Sequence, residues 1–507
     1  MKAGWALRLT GCISVLAGLC VLTTTGQATA ARPQTSTTSI WTPTPAPLPS
    51  SLPSGLAVSS ATLYATSCSS PSFCVAVGRV IDVGYNSYPL LETLSGGVWT
   101  ASLAPQPTDA TGTDGVLFGV GCSPEGTCGA VGDYYSGSAQ SPLLESYSNG
   151  AWTASGGSTP GAGLSNMFGV SCPDANTCMA VGDWFGNSAG SALANNIDVV
   201  PVGDPGGALD QAGAKHTTSS IANLDSRTTW QAVAAGDSSP NVDVPADWQA
   251  LIYILSDGTW QLQPQPPLPA NYQDNLNLQS VSCPDSSDCF VAASYGYPRA
   301  PDDIITSQGL ILTYSGGTWS DEEAPLPANA VLEPNAAGLP VLYTIDCADV
   351  TDCVAGGGYV QQNPTDTDQP LNPLLLTLQD GTWTPSEGPV PADSAADTLA
   401  LITGMSCPAV GSCIGDGYYW QTPGWPTGNL NGMLLTQSSG GWNAVGSGYP
   451  AQPYLNGPRR GITDRILAAH RKANKSSVYG ISCVSKRSCH AVGNSGNLPL
   501  ILKMKRR

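Results

Sequence analysis

Fourteen of the sixteen cysteines in this 507-residue chain recur at one spacing, Cys-x5-Cys. The pairs are Cys68/Cys74, Cys122/Cys128, Cys172/Cys178, Cys283/Cys289, Cys347/Cys353, Cys407/Cys413 and Cys483/Cys489. Paired thiols either oxidise to disulfides or hold a soft metal ion. Structural zinc sets use shorter gaps and companion histidines. Here the gap is five and the chain has three histidines, His216, His470 and His490, so disulfides are expected and no metal. The same scarcity limits serine nucleophiles, which need a neighbouring imidazole. His490 replaces an apolar residue at the start of a strand and is expected to be structural.

Carboxylates are plentiful, among them Asp133, Asp183, Asp302, Asp303, Asp366 and Asp368. Glycoside hydrolysis needs a pair with separated pKa values, and spacing selects none. Asp174, Asp285, Asp288, Asp349 and Asp352 fall between paired cysteines, where Asp side chains bond turn amides. Asp366-Thr-Asp368 offers too few oxygens for a calcium loop. No glycine loop is fit to cradle phosphates, and no cofactor is expected.

Aromatic residues follow the second cysteine of most pairs. Besides Tyr85 and Tyr88 these are Tyr134, Tyr135, Trp184, Phe185, Tyr295, Tyr297, Tyr359, Tyr418, Tyr419 and Trp420. Amphipathic rings repeated on one rim suit sugar faces or a peptide. The other reading is that they fill gaps between repeats.

The elements that must position these residues are themselves repeated. Gly-Val-Ser-Cys-Pro-Asp-Ala-Asn-Thr-Cys-Met-Ala-Val-Gly-Asp at 169–183 is one copy of the frame. Each pair is followed by an apolar run and a Gly-x-Trp turn, with Trp99, Trp152, Trp260, Trp319, Trp383 and Trp442. A 111-residue gap separates Cys172 from Cys283, and Leu224 and Trp230 within it stand where two cysteines would. Counting that match gives starts near 68, 122, 172, 224, 283, 347, 407 and 483, and leaves unit three with Gly206-Gly207-Ala208 in place of its Trp. The last unit stops before a Gly-x-Trp turn, whereas Ile40-Trp41-Thr42 precedes the first pair. A ring closed by both termini is the economical reading. Four-stranded repeats of 40–60 residues indicate an all-β, single β-propeller, expected with eight blades over 31–507; seven blades with 186–247 as an insertion is the alternative.

Residues 1–30 read as a signal peptide, with Lys2 and Arg8, an apolar stretch from Leu9 to Leu22, and Ala28-Thr29-Ala30. A secreted, extracellular chain without a membrane span is expected, and monomeric. Residues 31–458 carry a net charge of −31 and residues 459–507 one of +11. Nucleic-acid binding is not expected of the acidic body. The basic insertion 449–479, with a short helix from Thr463, could meet an anionic wall polymer or another acidic body.

The Ala-Val-Gly-Asp frame followed by Leu255-Ser-Asp-Gly-Thr-Trp260 resembles the repeats of sialidase-type, Asp-box propellers and of photosystem II assembly factors. The resemblance implies a propeller. It departs from those families in its cysteine pairs and in a turn one residue short. A sialidase also needs an arginine cluster, and residues 31–458 hold four arginines, Arg32, Arg79, Arg227 and Arg299. The expectation is a module that binds a glycan, cell-wall polymer or protein at the aromatic rim, more so than an enzyme. An extracellular glycoside hydrolase or lyase with acidic residues at the channel mouth is the alternative.

Overall fold

The computed structural model describes residues 39–506 except 138, 162, 187–246, 257, 273, 300–303, 331–340, 361–370, 395–399, 421–429, 439–440 and 447–475. The signal segment, Leu224, Trp230, Asp366, Asp368 and the Thr463 helix lie outside the described residues.

Seven antiparallel sheets of four strands form a closed ring. A strand near the N-terminus, β1 (Ser39–Pro45), belongs to the last of them. Blade one holds β2 (Val58–Ser70), β3 (Phe73–Asp82), β4 (Ser87–Ser95) and β5 (Val98–Leu103). Blade two holds β6 (Gly115–Cys122), β7 (Cys128–Ser136), β8 (Ala139–Ser148) and β9 (Ala151–Gly156). Blade three holds β10 (Gly163–Ser171), β11 (Cys178–Gly186), β12 (Asp247–Ser256) and β13 (Thr259–Leu262). Blade four holds β14 (Asp274–Ser282), β15 (Asp288–Arg299), β16 (Ile304–Ser315) and β17 (Thr318–Glu323). Blade five holds β18 (Val341–Asp349), β19 (Asp352–Val360), β20 (Leu371–Gln379) and β21 (Thr382–Glu387). Blade six holds β22 (Ala400–Ser406), β23 (Ile414–Trp420), β24 (Leu430–Ser438) and β25 (Gly441–Gly446). Blade seven is β26 (Ser476–Ser485), β27 (Ser488–Ser495) and β28 (Leu498–Arg506), completed by β1.

The count of eight blades is thus corrected to seven. The match at Leu224 and Trp230 falls in an insertion between the second and third strands of blade three. There β11 pairs directly with β12, Cys178 opposite Leu255, so blade three owns the strand and the Trp260 turn that the spacing arithmetic assigned to another unit. No fourth-unit sheet remains to be built from the described strands.

Ring closure follows the expected permutation. Trp41 lies opposite Met504 and Pro45 opposite Leu500. This is the register of every other turn Trp, such as Trp99 opposite Leu94 and Trp383 opposite Leu378. Each of these tryptophans packs on a different apolar cluster between blades, Trp41 on the one around Leu500 and Leu502. A blade has two apolar faces and cannot bury them alone, so the core exists only between neighbours.

All seven Cys-x5-Cys pairs are disulfides, and each locks the first hairpin of one blade. From blade one to blade seven they are Cys68–Cys74, Cys122–Cys128, Cys172–Cys178, Cys283–Cys289, Cys347–Cys353, Cys407–Cys413 and Cys483–Cys489. Such bonds fit an oxidising compartment outside the cytoplasm. In the same hairpins Asp174, Asp285 and Asp349 accept amide N–H bonds at 2.8–2.9 Å, as turn carboxylates should. No helix among the described residues is long and apolar enough to cross a membrane.

Candidate functional site

The inner strands set up the channel. In all seven, a β-bulge inserts one extra residue four positions before the first cysteine. Those residues are Tyr64, Phe118, Phe168, Gln279, Tyr343, Thr403 and Tyr479. Tyr479, Tyr64, Phe118 and Phe168, from four consecutive blades, form a buried aromatic arc with ring centroids 5.5–6.0 Å apart. The strands approach closely one residue later: a Cβ on Gly119 would lie 2.3 Å from the Phe168 carbonyl oxygen.

Beside the bulge residues a largely polar cavity of about 250 Å³ is lined by the ends of all seven inner strands. Here the serine of the Gly-Val-Ser-Cys frame shows its purpose. Ser67 Oγ accepts the Cys122 N–H of the next blade at 2.9 Å, and Ser171, Ser282, Ser406 and Ser482 do likewise for Cys283, Cys347, Cys483 and Cys68. In blade five the acceptor is Asp346, which takes the Cys407 N–H at 2.6 Å and the Ser282 hydroxyl at 3.0 Å. Burial outweighs those bonds and pushes Asp346 up to about 6. Only blade two, with Gly121, lacks this clasp side chain.

The disulfides reach the cavity only through first cysteines such as Cys122 and Cys172. The second cysteine of each pair turns away from the channel: Cys289, Cys353, Cys413 and Cys489 are 0–3% exposed and packed in the apolar clusters between blades. Their part is to hold the hairpins that carry the serine clasps.

The other end of the channel gathers the loops after each second strand, where the aromatic residues were expected. Register divides them into two sets. The residue six after the second cysteine points between blades: Tyr134, Tyr295, Tyr359 and Tyr419 are 0–1% exposed, and Trp184 is buried too. Each tyrosine hydroxyl lies within hydrogen-bond distance of the connection from the preceding blade. Tyr134 reaches Asp109 (3.0 Å) and Tyr419 reaches Asp393 (2.9 Å), while Tyr295 lies between Asn271 (3.1 Å) and Glu323 of its own blade (2.7 Å), and Tyr359 between Asn329 (3.2 Å) and Glu387 of its own blade (3.1 Å). The Asp and Asn partners share a Pro-x-Asx sequence at 107–109, 269–271, 327–329 and 391–393, a signal the reading of the sequence missed. Burial, and then the carboxylate beside them, pushes Tyr134 and Tyr419 up to about 12, so both remain donors. Tyr418 is buried against Tyr343 and Leu401.

The residue seven after the second cysteine is different. Tyr135 and Phe185 occupy it in adjacent blades and are half-buried. Trp420 holds the same place in blade six and Tyr297 lies on β15; the side chains of these two are outside the described set. In blade one Tyr85 sits at the loop tip with a positive φ of 67° and 68% of its surface exposed. Asp82 holds that loop rigid, accepting from Ser54 Oγ, the Gly84 and Asn86 amides, Asn86 Nδ2 and Tyr88 Oη. A bulky residue at positive φ is costly and persists only when its surroundings enforce it.

Of the carboxylates singled out in the sequence, Asp133 and Asp183 are not open to a substrate, being 3% and 0% exposed. Burial drives Asp133 well above the usual carboxylate range and Asp183 to about 8. Glu92 and Glu145, each on a third strand, are also fully covered. A metal set is excluded at the one place where geometry suggests it among the described residues. His490 Nδ1 lies 3.7 and 3.5 Å from Cys68 and Cys74 Sγ, but those sulfurs are bonded to each other. His490 is buried against this disulfide and Trp99, as expected of a structural histidine.

No family model matches the chain and no curated protein matches it. Among solved structures it is similar to a Dyadobacter fermentans protein of unknown function, at 9% identity and TM-score 0.39, over 80% of this chain and 97% of that one. It is similar to a polysaccharide lyase described as an ulvan lyase, at 9% identity and TM-score 0.42, over 88% and 93%. It is also similar to the Aleuria aurantia lectin, at 10% identity and TM-score 0.32, over 78% and 97%. Likenesses this distant carry no functional argument.

Proposed function

We propose that the protein is a secreted binding module that engages a glycan or protein ligand on the loop face of the ring, through Tyr85, Tyr135 and Phe185. The observation that carries this reading is register. The last two side chains occupy one position in adjacent blades with their rings partly open, while their immediate neighbours Tyr134 and Trp184 are covered. Rigid aromatic rings supply contact area at small entropic cost. Tyr85 adds an exposed ring on a loop fixed by five hydrogen bonds. Trp420 takes the corresponding sequence position in blade six. Hydrolysis is the weaker reading, because Asp133 and Asp183 are buried and no pair of exposed carboxylates is brought together in a closed pocket among the described residues.

Glycan arrays and pull-down on insoluble wall polysaccharide test it. The disulfide-bonded wild type is expected to bind a restricted ligand set without releasing reducing ends. Tyr85→Ala/Tyr135→Ala/Phe185→Ala should lose roughly tenfold or more in affinity while melting normally. Undiminished binding by the triple variant, or product release by the wild type, contradicts the proposal.

A further inference from the structure

At the end of the ring opposite the aromatic loops, each blade presents the turn between its first and second strands, and a disulfide closes every one of these hairpins. Charge is unevenly shared among them. The blade four turn carries Asp285, exposed, and Asp288, half-buried. Asp285 accepts the Ser287 hydroxyl and the Ser287 and Asp288 amides, which hold its carboxyl below the usual range, so it stays ionised. The blade seven turn carries Lys486 and Arg487, both exposed. The turns on either side of it, 408–412 in blade six and 69–73 in blade one, hold no charged residue, and no Asp or Glu follows Asp464 in the chain. No neighbouring turn compensates these two cations.

Between the acidic turn and the basic one lie the hairpins of blades five and six, each with an apolar side chain turned out to solvent. Val350 is 42% exposed and Val410 62%. The Gly411 N–H donates to Asp352 Oδ2 at 3.3 Å and ties the two hairpins together. From blade four to blade seven the face therefore runs acid, apolar, apolar, base. That order matches itself when turned over. A second copy flipped about an axis between blades five and six lays blade seven on blade four and blade six on blade five, twice over, as an isologous interface requires. Asp349 and Asp352, the other acids of these four turns, then meet the uncharged blade six turn.

We propose that this face is the interface of a homodimer, in which Lys486 and Arg487 of one copy meet Asp285 and Asp288 of the other, around an apolar centre made by Val350 and Val410. Hairpins closed by disulfides are ordered before association, which lowers its entropic cost. Exposed ion pairs contribute little each, so the dimer is weak, with a dissociation constant in the micromolar range. The charges fix how the two rings are turned, because other settings bring like charges together. The face lies at the other end of the ring from Tyr85, Tyr135 and Phe185, and the inference stands or falls independently of the ligand reading.

Sedimentation of the full disulfide-bonded chain, over a concentration series reaching about 200 μM, tests it. The wild type should pass reversibly from monomer to dimer. Lys486→Glu/Arg487→Glu sets acid against acid and should weaken dimerisation at least tenfold. Ser286→Lys/Asp288→Lys leaves the Asp285 turn bonds in place, sets base against base and should do the same. An equimolar mixture of the two variants brings opposite charges together at both contacts and should dimerise again. Should the lysine variant fail to fold, Val410→Asp reads the same interface at its apolar centre and should also give monomer. A wild type that stays monomeric throughout overturns the inference. So do variants that dimerise as the wild type does, or a mixture of folded variants that stays monomeric.

Discussion

Glu92 and Glu145 are single residues that work against the fold. Glu92 lies opposite Ala76, the position where Leu376, Leu435 and Leu502 face Ala355, Gly415 and Ala491 in blades five to seven. Neither oxygen of either glutamate has a partner, and burial pushes both pKa values up to about 9. The folded chain therefore keeps protons that the unfolded chain releases above its ordinary value of 4.5. Stability must fall as pH rises from 4.5 towards 9, by up to about 1.4 kcal/mol per pH unit for each group. Glu92→Leu should raise the melting temperature far more at pH 8 than at pH 5; equal shifts at both would show that Glu92 does not titrate in this way. His490 has the opposite sense. Burial, and then Lys503, lower it from 6.5 to about 4, so its neutral form stabilises the fold above 6.5 and that contribution is lost as pH falls to 4. His490→Val should flatten the acid limb of a pH–stability profile, and an unchanged limb would point to other groups.

At the scale of strands and hairpins, the disulfides and the serine clasps are separable. Removing one bridge, as in Cys122→Ala/Cys128→Ala, reopens a seven-residue ring and should cost about 2 kcal/mol in denaturant unfolding. Ser171→Ala keeps the bridge but leaves the Cys283 N–H without its acceptor, at an expected cost of about 1–3 kcal/mol. A loss below the error of the measurement would mean that water replaces the hydroxyl. Much of this architecture was legible in the sequence. The cysteine spacing gave the hairpins, down to the Cys283–Cys289 and Cys483–Cys489 bridges, and the Gly-x-Trp turns gave the last strands, because both patterns are local. Blade number was not legible, since Leu224 and Trp230 imitate the frame without pairing information, and only the β11–β12 register exposes the insertion. The aromatic residues divided for a similar reason. Strand alternation sends positions six and seven to opposite faces of the blade, but how far each is covered depends on the neighbouring blade: Tyr135 and Phe185 are half-buried, whereas Ile81 and Val360 at the same place are buried. The Pro-x-Asx connections and the channel serines were present as residue patterns, yet their partners lie on other blades, beyond the reach of spacing arguments.

For the whole molecule, closure is what makes the rest possible. The channel, the ring of clasps and the loop face all require that blade seven be completed by β1, and an unpaired β28 would leave an edge prone to pairing with other chains. Deleting residues 39–45 is accordingly expected to yield aggregated protein, detectable by size-exclusion chromatography. Hydrogen–deuterium exchange by mass spectrometry on the intact chain is the most direct measurement. Peptides containing Trp41 and Met504 should be protected to the same degree as Val492 at the heart of blade seven, and should lose protection together with it in denaturant. Rapid exchange at Trp41 beside a protected Val492 would show an untethered N-terminal arm, and the closed seven-blade ring would have to be abandoned.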